Sequence, residues 1–208
     1  METKRLTRNE VKEIGHIIKK GGVVAIPTDT VYGLAIHSFD KAVYEHLIQV
    51  KGRPDTKPFP LMVSSFEQIK NLVVLDALTE HLVKAWMPGA VTFIFNKKPD
   101  VFEFLGEQTT LGIRMADDSW VKTVIDAVGG PIWLPSANKS GEPTGTNSEM
   151  VLDQLDGLIE GVVEGRVHGG KSSSVFDLTN LPEIKELRAG PISRDRLEKT
   201  VKDYLESH

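Results

Sequence analysis

The chain has 208 residues, of which 40% are hydrophobic, no cysteine, and a formal net charge of −4 at pH 7. A chain of this size can bury a sizeable core, while the lack of cysteine excludes disulfides, thiolate metal sites and a cysteine nucleophile. The acidic balance excludes the overall basic field of a nucleic-acid coat protein, so any contact with nucleic acid would need a local patch.

The first 20 residues are charged and helical in pattern, without the apolar segment of a secretory signal. Thr7 and Glu10 have the spacing of a capping box, and Val11, Ile14 and Ile18 then fall on one helical face. No apolar run approaches the length that spans a membrane. We therefore expect a soluble, cytoplasmic protein.

The rest of the chain alternates between apolar runs and turn residues. Strands are predicted at 23–26, 61–63, 90–95, 110–115, 132–134, 158–163, 174–179 and 184–188. Helices are predicted at 40–50, 65–73, 79–86, 119–128, 148–155 and 194–206, with a loop at 27–34. Because some neighbouring strands have no helix between them, the pattern predicts an α/β fold with a mixed sheet. We expect one domain over 1–208, with a core of about 10–195.

Two polar clusters interrupt the apolar pattern: Lys51-Gly52-Arg53 and Ser136-Ala137-Asn138. Arginine and lysine supply charge, while serine, asparagine and backbone N–H groups supply directional donors. A polyphosphate site needs both, so these clusters are predicted to form one. The alternative is that both are ordinary solvated loops.

The segment 165–172 matches the phosphate-loop pattern G-x-x-x-x-G-K-S. That loop requires a helix directly after it, whose N-terminus contacts the phosphates. Residues 173–179 are β-branched and aromatic, and Pro182 follows, so the pattern predicts no such helix. A phosphate-loop ATPase is therefore a minor alternative, although Lys171 and the adjacent serines remain candidates to face a ligand.

Seven segments, in order along the chain, resemble the signatures of the YrdC-like family. They are Pro27–Leu34, Lys51–Pro54 with Lys57-Pro58, Pro88–Thr92, Thr110–Met115, Pro135–Gly141, Ser173–Asp177 and Arg188–Ser193. The chain departs from the family pattern at Ala90 and Ala116, which replace prolines, and at Ser174, where threonine is usual. Phe59-Pro60 also suggests a local difference in length.

The resemblance implies a twisted, mixed β-sheet flanked by helices, with a concave and locally basic ligand-binding face. It also implies the activity of an L-threonylcarbamoyladenylate synthase, which forms threonylcarbamoyl-AMP and pyrophosphate from L-threonine, bicarbonate and ATP. A partner complex would then transfer the threonylcarbamoyl group to tRNA. Mg²⁺ is expected to accompany ATP, with no metal ligand from a side chain. The chain length resembles that of single-domain members, with no additional C-terminal domain expected.

The resemblance further implies roles for individual residues. Catalytic roles are expected for Lys51, Arg53, Ser136 and Asn138. ATP is expected to contact Arg53, Lys57, Thr110, Asn138, Thr146 and Arg188. Threonine is expected to contact Thr30, Tyr32, Ser64, Arg114, Ser136 and Ser174.

Several of these residues also have a purely structural interpretation. Arg114 suits a carboxylate because its guanidinium is planar, but an arginine at a strand end also forms ion pairs. Arg188 is expected at a phosphate, with locking of the final helix as the alternative. Asp29 is a candidate brace for its loop, and Asp117-Asp118 is predicted to cap the 119–128 helix rather than bind metal.

Two other functions stay open. One is a module that binds tRNA or double-stranded RNA without catalysis, since lysines that bind phosphate serve either role. The other is a paralogue with a different acyl or carbamoyl substrate, because the departures from the family pattern lie near the expected threonine pocket.

Overall fold

The computed structural model describes residues 2–52, 58–168 and 171–207. Within these ranges, the strands are β1 (Lys4–Leu6), β2 (Val24–Pro27), β3 (Tyr32–His37), β4 (Leu61–Met62), β5 (Val91–Asn96), β6 (Thr110–Arg114), β7 (Ile132–Trp133), β8 (Gly161–Val163), β9 (Ser174–Asp177) and β10 (Lys185–Arg188). The helices are α1 (Val11–Lys19), α2 (Lys41–Lys51), α3 (Phe66–Leu72), α4 (Ala77–Trp86), α5 (Ser119–Val128), α6 (Ser148–Leu155) and α7 (Arg194–Ser207). Among the described residues, every helix is too short or too polar to span a bilayer.

All ten strands join one sheet in the order β1-β8-β2-β3-β7-β4-β6-β5-β9-β10. Parallel pairs (β1 with β8, β2 with β8, β4 with β6, and β5 with β9) alternate irregularly with antiparallel ones. The predicted mixed α/β architecture is therefore confirmed.

The two faces of the sheet carry separate apolar clusters because successive strand residues point to opposite sides. In β2, Val24 and Ile26 pack with α1 and α5, whereas Ala25 faces the cluster that contains α2, α4 and α7 residues. Helices thus cover both faces, and the loops at the strand ends remain to build a site.

Two strands were not predicted. The segment Lys4–Leu6 was predicted as helical, yet it forms an edge strand that pairs with Gly161–Val163. The 27–34 loop is shorter than predicted, since β3 begins at Tyr32 and pairs antiparallel with β2. Strand β1 has three residues and a pairing partner far along the chain, which local periodicity does not report. Strand β3 has six residues that are nearly all buried, so it lacks the alternation of polar and apolar residues that indicates a strand.

Helix α5 begins as predicted, at a carboxylate cap. The Asp118 carboxylate accepts hydrogen bonds from the backbone N–H groups of Trp120 (2.9 Å) and Val121 (3.3 Å). Two of the N–H groups that a helix start leaves without helical partners are thereby satisfied.

Asp118→Ala should lower the free energy of unfolding by about 1 kcal/mol, because the first turn of α5 loses its cap. Urea denaturation measures this change. Asp117→Ala is the matched control, since this exposed neighbouring side chain does not cap the helix. Equal losses in the two variants would contradict the capping role.

Candidate functional site

A cavity of about 200 Å³ lies where several strand ends meet the loops that follow them. Its wall includes Lys51, Thr92, Arg114, Ser136, Ser173 and Arg188. These residues come from elements that are far apart in sequence, and three of them are cations. The cavity is therefore suited to an anionic ligand.

Lys51 ties the end of α2 to the turn after β7. Gly52, with a φ of 59°, ends the helix, and the buried Lys51 ammonium points across to the turn. Its Nζ donates to the carbonyl oxygens of Ser136 and Asn138, each at 2.7 Å, and to Asn138 Oδ1 at 3.0 Å. The Ser140 N–H in turn donates to the Lys51 carbonyl at 2.8 Å. The side chain and the backbone of Lys51 both hold this turn in place.

The two predicted polar clusters therefore meet in space. Ser136 Oγ also donates to Asn138 Oδ1 at 2.5 Å, which fixes the amide orientation beside the Lys51 ammonium. Ser136 and Lys51 line the cavity, and Asn138 lies directly behind them. Arg53 and Lys57, predicted for the same site, lie outside the described residues. The catalytic roles of these residues stay predictions.

Arg114 ends β6 and is buried at the cavity wall. Its Nε donates to the Gly89 carbonyl (3.0 Å), Nη1 to Thr30 Oγ1 (2.7 Å) and Nη2 to Asp29 Oδ1 (2.5 Å). The second Asp29 oxygen accepts from the Asp117 N–H at 3.2 Å, so Asp29 braces two loops. Burial lowers the pKa of Arg114, and the Asp29 charge opposes that shift. Described residues engage three of the five guanidinium N–H groups, which leaves two for a ligand.

The 28–31 turn is held by its own side chains. Thr28 Oγ1 donates to the Val31 carbonyl at 2.7 Å and accepts from the Thr30 N–H at 3.2 Å. Tyr32 follows, and its hydroxyl donates to the Val163 carbonyl at 2.8 Å. Burial raises the pKa of Tyr32 to about 12. The hydroxyl of Tyr32 is thus engaged structurally, although other atoms of the residue line the cavity.

Arg188 faces the cavity beside two hydroxyl groups. Its Nε donates to the Ser173 carbonyl (2.9 Å) and its Nη2 to Ser173 Oγ (3.1 Å), while Ser173 Oγ lies 2.8 Å from Thr92 Oγ1. Partial burial lowers the pKa of Arg188, and the nearby Arg114 charge lowers it further. Thr92 was not predicted as a site residue, and Ser173 was named only among the serines near Lys171 that are candidates to face a ligand. The resemblance to the family implies a threonine contact for Ser174 rather than for Ser173.

Two predicted contacts lie elsewhere. Ser64 donates to Asp126 Oδ1 at 2.7 Å, on an exposed surface. Thr110 begins β6, at the opposite end of the strand from Arg114. Neither residue lines the cavity.

Thr146 and Ser174 also do not line the cavity. The Thr146 hydroxyl contacts Met150 Sδ at 3.4 Å. Ser174 is fully buried, and its Oγ donates to the Ile192 carbonyl (2.7 Å) and accepts from the Ile192 N–H (2.8 Å). Ser174 therefore anchors the segment before α7 in this structure.

Comparisons with known proteins agree on one family. The family model Sua5_yciO_yrdC, described as "Telomere recombination", matches residues 16–190. The chain is 32% identical to proteins named threonylcarbamoyl-AMP synthase from Pyrococcus abyssi (strain GE5 / Orsay) and Bacillus subtilis (strain 168), over 95% and 96% of its length. It covers 58% and 59% of these relatives, so it spans about three fifths of their length.

A solved structure, P. abyssi Sua5 complexed with L-threonine, superposes with a TM-score of 0.88 at 30% sequence identity. The similarity covers 96% of this chain and 61% of that one.

Lys51→Met should lower the free energy of unfolding by about 2 kcal/mol or more, because two carbonyl groups lose a charged donor. Urea denaturation checks this result. Lys139→Met, at an exposed lysine of the same turn, is the matched control and should change stability little. A Lys51 variant as stable as the control would rule out the bridging role.

Proposed function

This chain belongs to the Sua5/YciO/YrdC family, and we propose that it acts as an L-threonylcarbamoyladenylate synthase. Its YrdC-like resemblance is thereby confirmed. The main support for the proposal is the cavity, whose wall combines the cations Lys51, Arg114 and Arg188 with several hydroxyl groups. The substrates proposed here, ATP, L-threonine and bicarbonate, are all anionic or carry a carboxylate, which such a wall can bind.

The proposed chemistry needs no protein nucleophile. The threonine amine adds to carbon dioxide from bicarbonate and loses a proton, which gives a carbamate. A carbamate oxygen then attacks the α-phosphorus of ATP, the bond to the β-phosphate oxygen breaks, and pyrophosphate leaves. Positioning of the reactants and neutralisation of phosphate charge would supply most of the rate enhancement.

The cavity residues divide naturally between these substrates. The two guanidinium N–H groups of Arg114 that described residues leave open suit the threonine carboxylate, and Thr30 lies against the same guanidinium. Arg188 and Lys51 add positive charge for the phosphates. By holding the Ser136–Asn138 turn, Lys51 would also fix the backbone that borders the reacting carbamate.

The cavity-lining residues that the structure describes include no histidine, aspartate or glutamate that could bind magnesium. Among the described residues, no group of three or more histidine, aspartate and glutamate side chains could hold a metal ion. Asp29 is occupied by Arg114 and the Asp117 N–H. We therefore propose that Mg²⁺ enters as part of the substrate MgATP, bound by the phosphates.

The wider biological role follows from the same proposal. The product would serve threonylcarbamoylation of tRNA in the cytoplasm, with a separate transfer complex as partner. As one sheet runs through the described residues, we propose that the chain works as a single domain. RNA binding without catalysis and a different acyl or carbamoyl substrate are the rival outcomes of the assay below.

The phosphate-loop alternative is not supported by the fold. Residues 171–173 lead directly into strand β9 rather than into a helix, so no helix N-terminus is available for phosphates at this position.

With MgATP and bicarbonate present, pyrophosphate release should be stimulated by L-threonine and should depend on bicarbonate. Each amino acid is compared in a coupled pyrophosphate assay. No L-threonine stimulation in folded protein would exclude the synthase, and stimulation by another amine would indicate a different substrate. Lys171→Ala should retain the rate within about twofold, because it alters the phosphate-loop pattern and not the proposed machinery.

A further inference from the structure

Two buried hydroxyl groups on the cavity wall, those of Thr92 and Ser173, are not used by the chemistry above. The residues are 4% and 5% exposed, and both line the cavity. Their oxygens lie 2.8 Å apart, and Arg188 Nη2 donates to the serine oxygen at 3.1 Å. The side chains of Arg188, Ser173 and Thr92 thus form a hydrogen-bonded series along the cavity wall.

In this hydrogen-bonded series, one hydroxyl hydrogen has no acceptor among the described residues. Each hydroxyl carries one hydrogen, and one of the two is used between Thr92 and Ser173. Since Arg188 also donates to Ser173, no described residue accepts the other hydroxyl hydrogen, whichever residue carries it. A buried donor without an acceptor is costly, so a ligand that supplies an acceptor would be favoured.

The orientation in which Ser173 donates to Thr92 is the favoured one. The charged Arg188 polarises the Ser173 hydroxyl, which then donates more strongly to Thr92. The hydroxyl hydrogen that lacks an acceptor among the described residues is then that of Thr92, the last member of the hydrogen-bonded series.

Thr92 lies next to Arg114 across the sheet. Phe93 pairs with Ile113 in antiparallel register, so Thr92 and Arg114 are the next residues on the two strands. A Cβ added to Gly112 would lie 3.5 Å from Thr92 Cγ2, so residues 92 and 112 face the same side of the sheet. Because side chains alternate between the two faces along a strand, Arg114 faces that side as well. The Thr92 hydroxyl and the Arg114 guanidinium therefore border the same space.

We propose that Thr92 donates to a carboxylate-type anion held at Arg114, and that Ser173 is a positioning residue that orients the Thr92 hydroxyl. A planar group with two or three oxygens matches a guanidinium edge and leaves an oxygen for the hydroxyl. In the proposed reaction this group belongs either to L-threonine or to bicarbonate. The inference rests on that proposed function for the identity of the anion, and on the donor count for the site.

Thr92→Val tests the proposal because it removes the hydroxyl and keeps the shape and the β-branched side chain. Thr3→Val is the matched control, as the Thr3 hydroxyl is also buried but bonds to Ile159 and Gly157. Thermal unfolding of wild type and both variants is followed with L-threonine, sodium bicarbonate or MgATP, and with sodium chloride at equal ionic strength.

Wild type should be stabilised by L-threonine or bicarbonate, and Thr92→Val should lose that stabilisation while Thr3→Val retains it. The ligand whose effect disappears identifies the source of the anion. Where turnover is measurable, the KM for the same ligand should rise about tenfold or more in Thr92→Val, as expected for a lost bond to a charged acceptor. The KM for ATP should stay nearly unchanged.

Ser173→Ala separates positioning from contact. Its KM effect should be smaller than that of Thr92→Val, and the double variant should resemble Thr92→Val alone because Ser173 acts through Thr92. Additive effects in the double variant would overturn the positioning role.

The remaining outcomes are also decisive. The proposed subsite is wrong if neither L-threonine nor bicarbonate stabilises wild type, or if both stabilise Thr92→Val as much as wild type. It is also wrong if Thr92→Val loses its stabilisation by MgATP to the same extent as its stabilisation by the other ligands. Stabilisation that depends on Thr92 without pyrophosphate release from wild type would overturn the proposed synthase while supporting the subsite.

Discussion

The Lys51 ammonium is the interaction on which the candidate site depends. It is buried at the end of α2 and donates to two backbone carbonyls from a turn 85 residues away. A buried cation is stable only with hydrogen-bonding partners, so the turn and the helix end require one another. The same turn pairs with β3, where the Ala137 N–H donates to the Tyr32 carbonyl at 2.7 Å. One ammonium therefore connects α2, the turn after β7 and the start of β3.

Among the described residues, the hydrogen-bond partners of Arg188 are neutral, so its positive charge remains available at the cavity. Arg188 donates to neutral carbonyl and hydroxyl oxygens, whereas Arg114 has the carboxylate of Asp29. Neutral acceptors satisfy a cation's hydrogen atoms without cancelling its charge. Burial lowers the pKa of Arg188 and the Arg114 charge lowers it further, which indicates that the two positive charges lie near the same part of the cavity. An anion that enters this part of the cavity would be attracted by both charges.

Much of the fold was predictable because most elements carry a local signal. Helix α5 has an apolar face, a capping aspartate and a glycine stop, and its bounds were predicted correctly. Strand β1 has three residues and no such signal, since its partner Gly161–Val163 lies far along the chain. The same limit applies to the site. The motifs predicted that Lys51 and Ser136 lie in one site, but they did not indicate that Ser64 contacts Asp126 on an exposed surface.

Ser173 lines the cavity and Ser174 does not, a difference that the sequence motif alone leaves undetermined. Adjacent residues of an extended segment point in opposite directions, so only one of the two serines can face the cavity. A Cβ at Gly190 would collide with the Ser174 backbone nitrogen, so the segment after β10 lies directly on this pair. On either side of Gly190, Ile192 is hydrogen-bonded to Ser174 and Arg188 is hydrogen-bonded to Ser173. The motif identifies the serine pair, and the packing of a glycine 16 residues beyond Ser174 decides which hydroxyl is available to a ligand.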